Sequence, residues 1–276
     1  PLAKSAIVAL VNGEPWDLNR PLEGPSRVEI LDFEHPKAQE TLWHSSAHIL
    51  GQALEYHYRE HHVSLSDGPA LVDGGFFYDV FVQDAQDKPV TVSAEDLAGI
   101  QKTARYIVKD RQKFHRLVVP VAMARELFKH NPFKLQTLDK IMDAARNGDA
   151  SCGTPASDAA TEAACNTVVG DAATEETVQV TLYRCGPLID LCRGPHVPRT
   201  DTVQAFPLDK TSSSVMKNPV PFHGVPTHAQ TLGNVASVHS DAIASVQRVY
   251  GISYPTAAQL QEQLRQTRDR FNVGEV

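Results

Sequence analysis

Two short segments, far apart in the sequence, carry the side chains best suited to chemistry. In the first segment, His44 and His48 are four residues apart, so on a helix they lie one turn apart on the same side. Two imidazoles in this arrangement can hold a metal ion or position a water molecule for general-base catalysis. Two unrelated histidines also fall four apart in many proteins, so the pair by itself does not separate a functional site from a structural role.

The second segment is Asp-Leu-Cys-Arg-Gly-Pro-His at 190–196, which offers a carboxylate, a thiol, a guanidinium group and an imidazole around a Gly-Pro turn. A polar turn after a strand, with Cys192 as a small buried apolar residue, is the structural alternative. Together the HxxxH and CxxxH patterns supply the three or four ligands typical of a catalytic zinc site. A metal-free hydrolytic cluster uses the same residue types, so both possibilities stay open.

These segments can act together only if the fold joins them. A long helix is predicted from Pro36, which suits a first helical turn, because no further Pro or Gly follows until Gly51. The other elements predicted here are strands at 76–82, 114–119, 133–138 and 177–185 and helices at 93–111 and 120–130. Helices and strands mix without a regular βαβ repeat, so the predicted fold class is α+β, a mixed sheet with a central helix that carries HxxxH.

Both ends of the chain and two irregular stretches complete the predicted organisation. Asn12-Gly13 between two apolar runs indicates a β-hairpin near the N-terminus. Small, polar, Pro-rich or Gly-rich residues predict solvated insertions near 147–176 and 217–240. The last residues are predicted to be helical, at 241–250 and 255–270. The predicted divisions are an N-terminal segment at 1–34, a central domain at 35–240 and a helical end at 241–276.

Composition limits the class of protein. The net charge is −7 with the twelve histidines left out, which argues against a protein that grips nucleic-acid backbone over a broad surface. A nucleic acid touched only at one end remains compatible with this charge. No run approaches the ~18 apolar residues of a membrane-spanning helix, so no membrane partner is expected. Four unevenly spaced cysteines favour a reducing compartment, and the missing initiator Met predicts a segment from within a longer protein.

The two chemical segments resemble the two signatures of the editing domain of threonyl-tRNA synthetases. His-Ser-Ser-Ala-His-Ile-Leu-Gly at 44–51 is similar to the first signature, and residues 183–196 are similar to the second in its eukaryotic form. Supporting stretches follow the family order at 75–79, 128–134 and 247–251. The segment at 1–34 resembles the second half of the ubiquitin-like TGS domain. Motifs of the aminoacylation core and of an anticodon-binding region are not found, so the resemblance implies editing without aminoacylation.

The resemblance implies hydrolysis of serine wrongly esterified to the 3′ end of threonine tRNA, in the cytoplasm, by a monomeric part of a homodimeric parent enzyme. A synthetase pocket discriminates one methylene by only ~1–3 kcal/mol, so some serine is attached by mistake. A second, tighter site is then needed that hydrolyses the serine ester and excludes the threonine ester. In matching positions, His44 and Lys134 would hold and activate water. The resemblance also implies that the pocket is completed by His48, Cys192 and His196.

The same resemblance implies the residues that bind the substrate. Asp190 would pair with the ammonium of serine, and Tyr78 and Gly68 would line the amino-acid and adenosine sites. Arg193 would clamp a phosphate or brace its own loop. No cofactor is expected in this reading. The alternatives are a zinc-dependent hydrolase like the related alanyl-tRNA editing proteins, with zinc at His44, His48, Cys192 and His196, and a non-catalytic module that binds tRNA or another partner.

Overall fold

The structure is a computed structural model that describes residues 5–71, 74–148, 165–166, 170–221 and 242–272. Its α-helices are α1 (Pro36–His57), α2 (Asp96–Lys109), α3 (Val121–Leu127), α4 (Pro132–Arg146) and α5 (Ala257–Asn272). Its strands are β1 (Val8–Val11), β2 (Glu14–Trp16), β3 (Val28–Leu31), β4 (His62–Leu65), β5 (Phe76–Gln83), β6 (Pro89–Val90), β7 (Phe114–Pro120), β8 (Cys165–Asn166), β9 (Gln179–Cys185), β10 (Leu188–Leu191), β11 (Leu208–Pro221) and β12 (Ala242–Gly251). This mixture of helices and sheets confirms the predicted α+β class. Among the described residues, no helix is long and apolar enough to cross a membrane.

The N-terminal sheet has the order β2-β1-β3, with antiparallel pairing throughout. The turn between β1 and β2 is formed by Asn12 and Gly13, with φ angles of 53° and 91°. Positive φ at both central residues is the requirement of the tight hairpin turn that Asn-Gly favours. The hairpin prediction is therefore confirmed.

Helix α1 lies at the centre of the larger hydrophobic core and carries both His44 and His48. It begins where predicted, because Pro36 occupies the first turn and the side chain of His35 accepts a hydrogen bond from the Lys37 amide. The helix packs against α2 and β5. Residues 45–54 of the helix are all buried, so packing on every side fixes the position of His48 and of the turn that carries His44.

Two further sheets flank this helix. One has the order β11-β12-β5-β4, and the other has the order β10-β9-β7, again with antiparallel pairing. A smaller core forms where α3 and α4 pack on the second of these sheets. The end of β10 and the start of α4 thereby reach the same side of α1 as its histidines.

The predicted strand at 133–138 is wrong, because these residues belong to α4. The side chain of Asn131 caps this helix by accepting hydrogen bonds from the amides of Phe133 and Lys134, and Pro132 occupies the first turn. Leu138 and Ile141 are buried three residues apart, which is a helical spacing. A short apolar run fits either type of element, and the Asn-Pro start signal decides for the helix.

The predicted helix at 241–250 is also wrong, since residues 242–251 form β12. This strand pairs with β5 on one side and with β11 on the other, so its backbone groups are satisfied by the sheet. Val246 and Val249 are three residues apart and both buried, a spacing that also fits a helical face. The C-terminal part therefore begins with a strand of the central sheet rather than with a helix.

The two predicted insertions are only partly described. Strand β11 continues to Pro221, with a register shift between Val215 and Val220, while residues 222–240 lie outside the described residues. In the other stretch, residues 165–166 pair with β9 and Ala173 is buried in the smaller core. Ala172, Thr174 and Glu176 around it are exposed, as predicted. Residues 149–164 and 167–169 lie outside the described residues, so the predicted exposure of that portion stays a prediction, as do the domain divisions at 34 and 240.

Candidate active site

Four side chains from the two chemical segments converge on one point. The ligand atoms of this His–Cys cluster all lie within 4.8 Å of one another; its members are His44, His48, Cys192 and His196. His48 is 2% exposed and His196 is similarly buried, whereas His44 and Cys192 are partly exposed. The fold thus joins the helix and the loop as the sequence predicts, with one solvent-accessible side.

His196 is held between neighbouring rings. It stacks on Phe114 with the ring centroids 4.8 Å apart and meets Tyr183 edge-on at 4.5 Å. The rings of His44 and His48 approach it to centroid distances of 4.4 and 4.3 Å. This enclosure fixes the plane of the imidazole before any ligand arrives.

Ser45 fixes the tautomer of His196. The Ser45 hydroxyl donates its single proton to the carbonyl of Thr41 at 2.7 Å and accepts the Val197 amide at 3.0 Å. Its contact with His196 Nδ1 at 3.0 Å can then be a hydrogen bond only if Nδ1 carries the proton. The other ring nitrogen, Nε2, is left as an acceptor 3.1 Å from the Cys192 sulfur.

Asp17, in the N-terminal segment, braces the loop that carries the cluster. Its carboxylate accepts the Tyr183 hydroxyl at 2.7 Å and the His196 backbone amide at 2.8 Å. Gly194 has a φ of 72° and packs so closely on Tyr183 that a Cβ atom would clash with the phenol ring. The loop therefore requires glycine at this position.

A buried ion pair lies beside the cluster. Lys134 Nζ is 2.5 Å from Asp190 Oδ1, and the two side chains are 8% and 5% exposed. The Tyr78 hydroxyl donates to Asp190 Oδ2, and the Leu191 amide donates to Oδ1 at 2.8 Å. Nε2 of His48 lies 3.7 Å from Oδ2. The carboxylate thus links the lysine to the histidine cluster.

Burial keeps the cluster neutral at physiological pH. Burial and the adjacent His48 lower the pKa of His44 to about 3, and burial lowers the pKa of His48 to about 4. Burial also moves the pKa of His196 well below its usual range. The pKa of the Cys192 thiol is well above its usual range, because burial and the Asp190 charge both disfavour the thiolate. Three neutral imidazoles and one thiol can therefore accept or share hydrogen bonds with water.

Asp190 shows the opposite balance. Burial by itself would raise the pKa of this carboxyl, but the Lys134 ammonium and the other donors outweigh it, so the pKa lies below its usual value. Asp190 is therefore ionised at neutral pH. Its negative charge and the positive charge of Lys134 cancel within the site.

The remaining predicted site residues are Tyr78, Gly68 and Arg193. The Tyr78 ring is packed between two glycines, since a Cβ atom would lie 2.9 Å from the ring at Gly51 and 2.6 Å at Gly68. Gly68 is buried against this ring, so its contact with a ligand stays a prediction. Arg193 is half-buried in the loop between Cys192 and His196, and its role also stays a prediction.

Sequence reasoning missed two positioning residues. Ser45 lies inside the first motif, and its place between the two histidines was a usable signal. Asp17 carries no local signal, because its contacts at Tyr183 and His196 depend on the folded arrangement of the two segments.

The His–Cys cluster fits a zinc ion chemically. Zinc prefers four nitrogen or sulfur ligands at about 2.0–2.3 Å, so the cluster would contract slightly around it. The bare Nε2 of His196 faces the cluster while Ser45 holds its Nδ1 proton, an arrangement common for metal-binding histidines.

Comparison with known proteins places the sequence in a class. A family model for the threonyl and alanyl tRNA synthetase second additional domain matches residues 180–215, and the TGS domain model matches residues 1–32. A TGS segment followed by this domain defines the accessory region of an aminoacyl-tRNA synthetase. The matched residues include all of β9 except its first residue, all of β10, and the loop that ends at His196.

Individual relatives identify the family. "Threonine--tRNA ligase 2, cytoplasmic" of Homo sapiens is 35% identical over 92% of this chain and 24% of its own length. "Threonine--tRNA ligase, cytoplasmic" of Caenorhabditis elegans is 34% identical over 95% of this chain, and "Probable threonine--tRNA ligase 1, cytoplasmic" of Dictyostelium discoideum is 36% identical over 99%. The chain belongs to the threonyl-tRNA synthetase family. It spans only 24–30% of the length of these relatives.

Proposed function

We propose that this part of a threonyl-tRNA synthetase is an editing hydrolase that removes serine from threonine tRNA. The observation that carries the proposal is the neutral His–Cys cluster, open to solvent on one side, next to the buried Lys134–Asp190 pair. Acyl-ester hydrolysis needs a positioned water and hydrogen-bond partners more than it needs a strong base, because the aminoacyl ester is already activated. The cluster supplies those partners.

In the proposed reaction, His44 accepts a hydrogen bond from a water molecule and the Lys134 ammonium donates one to the water oxygen. The water oxygen bonds to the ester carbonyl carbon, and the bond from that carbon to the ribose oxygen breaks. One proton of that water passes to the ribose oxygen, and serine leaves as its carboxylic acid, which keeps the other proton and ionises in solvent. His48, Cys192 and His196 shape the pocket around the carbonyl group.

Substrate binding is assigned to the residues around the ion pair. Asp190 attracts the ammonium of serine, and Tyr78 and Gly68 form the wall beside it. Arg193 is assigned either to a phosphate of the tRNA 3′ end or to bracing of its own loop. Threonine tRNA is spared because the extra methyl group of threonine meets this wall, as a second sieve requires.

Zinc-dependent hydrolysis is the second candidate, and the spacing of the His–Cys cluster favours it. The ion would be held by His44, His48, Cys192 and His196 and would polarise the ester carbonyl or lower the pKa of a bound water. Metal analysis of protein purified without chelator separates the two candidates. One zinc per chain supports the second, and a content far below one per chain supports the first.

Single substitutions test the assignment of roles. His44→Ala and Lys134→Ala should each lower single-turnover hydrolysis of serine-charged tRNA by about 10²-fold, the scale for losing a positioned acid–base group. Asp190→Ala should mainly weaken substrate capture, and Cys192→Ala should admit threonine. Glu40→Gln on the exposed start of α1 is the matched control. Parental rates in all four site variants would contradict the editing assignment and favour a non-catalytic module.

A further inference from the structure

A cavity opens beside the Lys134–Asp190 pair. It has a volume of about 230 Å³, and Lys134 and Asp190 form part of its wall. Glu55 contributes a second carboxylate to the same wall, and Phe128 and Leu65 provide apolar surface. The lysine thus borders both the candidate active site and this cavity.

Asp190 already has partners on both of its oxygens. Oδ1 accepts from Lys134 at 2.5 Å and from the Leu191 amide at 2.8 Å, while Oδ2 accepts from Tyr78 and lies near His48. An incoming substrate ammonium would therefore meet the Lys134 ammonium at the same carboxylate. Two cations that share one buried anion repel each other strongly, so a second negative charge is needed.

Glu55 and Asp67 are two further acidic side chains near Lys134, and Glu55 is the one that lines the cavity. Glu55 lies seven residues after His48, two turns further along the same side of α1. Among the described residues, its carboxyl has no hydrogen-bond or ion-pair partner. Burial and the nearby Asp190 charge together raise the pKa of Glu55 to about 7, while Lys134 acts in the opposite sense. Movement of the lysine ammonium toward Glu55 would therefore favour its ionised form, and the released proton would leave through the cavity.

We propose that Glu55 is a positioning residue that accepts one hydrogen bond from the Lys134 ammonium when a substrate ammonium occupies Asp190, which leaves another N–H of Lys134 for the attacking water. This inference rests on the proposed editing function. The exchange keeps the site neutral, because two cations then face two carboxylates. Lys134 turns toward Glu55 only when the ligand carries an amino group that binds Asp190. Glu55 therefore increases the affinity for esters of α-amino acids relative to esters of α-hydroxy acids.

The test is a pair of binding measurements with non-hydrolysable ligands. One ligand is 3′-deoxyadenosine with serine joined through a 3′-amide, and the other has a hydroxyl group in place of the serine α-amino group. Glu55→Gln should weaken binding of the first ligand about tenfold and change binding of the second by no more than about twofold. Glu55→Asp, which keeps the charge, should recover part of the loss.

Matched controls separate this role from a structural one. Glu40→Gln removes a carboxylate from the same helix at an exposed position and should leave both affinities unchanged. Melting temperatures of the Glu55 variants verify that they fold. Equal effects of Glu55→Gln on both ligands, or no effect on the first, would overturn the inference. Amine-selective binding that depends on Glu55, without hydrolysis of serine-charged tRNA, would contradict only the proposed function.

Discussion

Replacing Lys134 with methionine should leave Asp190 as a buried carboxylate without its cation. The two side chains are 8% and 5% exposed, and their charged atoms are 2.5 Å apart, so solvent cannot substitute for the lysine. Removing one partner of such a pair typically costs about 3–5 kcal/mol, because the remaining charge is uncompensated. We expect Lys134→Met to lower the free energy of unfolding at pH 7 by an amount in that range.

The pH dependence identifies the cause. In the parent, the pKa of Asp190 in the folded state lies below its usual value, which is the value in the unfolded state. The ionised carboxylate therefore stabilises the fold at pH values above that usual pKa, and this contribution is lost in acid. In Lys134→Met, burial dominates and raises the folded-state pKa, so the folded state retains a proton that the unfolded state has lost. The stability difference between parent and variant should therefore grow with rising pH, by at most about 1.4 kcal/mol per pH unit.

Urea unfolding between pH 5 and pH 7 measures this difference. Lys134→Met with Asp190→Asn is the control, because it removes both charges and should recover much of the stability at pH 7. A single variant that costs less than about 1 kcal/mol at pH 7 would refute the reasoning. A double variant that is as unstable as the single one would refute it equally.

Three further predictions concern the support and charge state of the His–Cys cluster. Asp17→Ala should destabilise the fold by about 1–3 kcal/mol in urea unfolding, because the amide of His196 loses its acceptor; no loss would contradict the bracing role. Ser45→Ala should lower single-turnover hydrolysis about tenfold by freeing the tautomer of His196, whereas Ser46→Ala, whose hydroxyl faces elsewhere, should not. His48, with a folded-state pKa of about 4, stays neutral while the unfolded state takes up a proton, so stability should fall between about pH 6.5 and pH 4. His44 and His196 act in the same sense, so His48→Gln should remove only part of this fall in pH-dependent unfolding.

Much of the candidate site could be predicted from short-range patterns. The four-residue spacing of His44 and His48 on a helix places both rings on one side, whatever packs against them. The Asn12-Gly13 turn likewise depends on local backbone preference alone. Such features are predicted correctly because one local conformation is favoured whatever tertiary contacts form.

The missed elements depended on tertiary context. Residues 242–251 form a strand because β5 and β11 offer pairing on both sides, and nothing in the local apolar spacing reveals those partners. The contacts of Asp17 cross from the N-terminal segment to the loop of His196, so no local pattern encodes them. The start of α4 was different, because the Asn131-Pro132 signal was present and outweighed a short apolar run.

Single-turnover deacylation of threonine tRNA charged with serine or with threonine tests the editing assignment most directly. An editing hydrolase should release serine at least about 10²-fold faster than the spontaneous rate and should release threonine near that spontaneous rate, because positioned acid–base groups contribute on this scale. Spontaneous rates for both charged tRNAs, or equal acceleration of both, would contradict the assignment of this cluster as a serine-selective editing site.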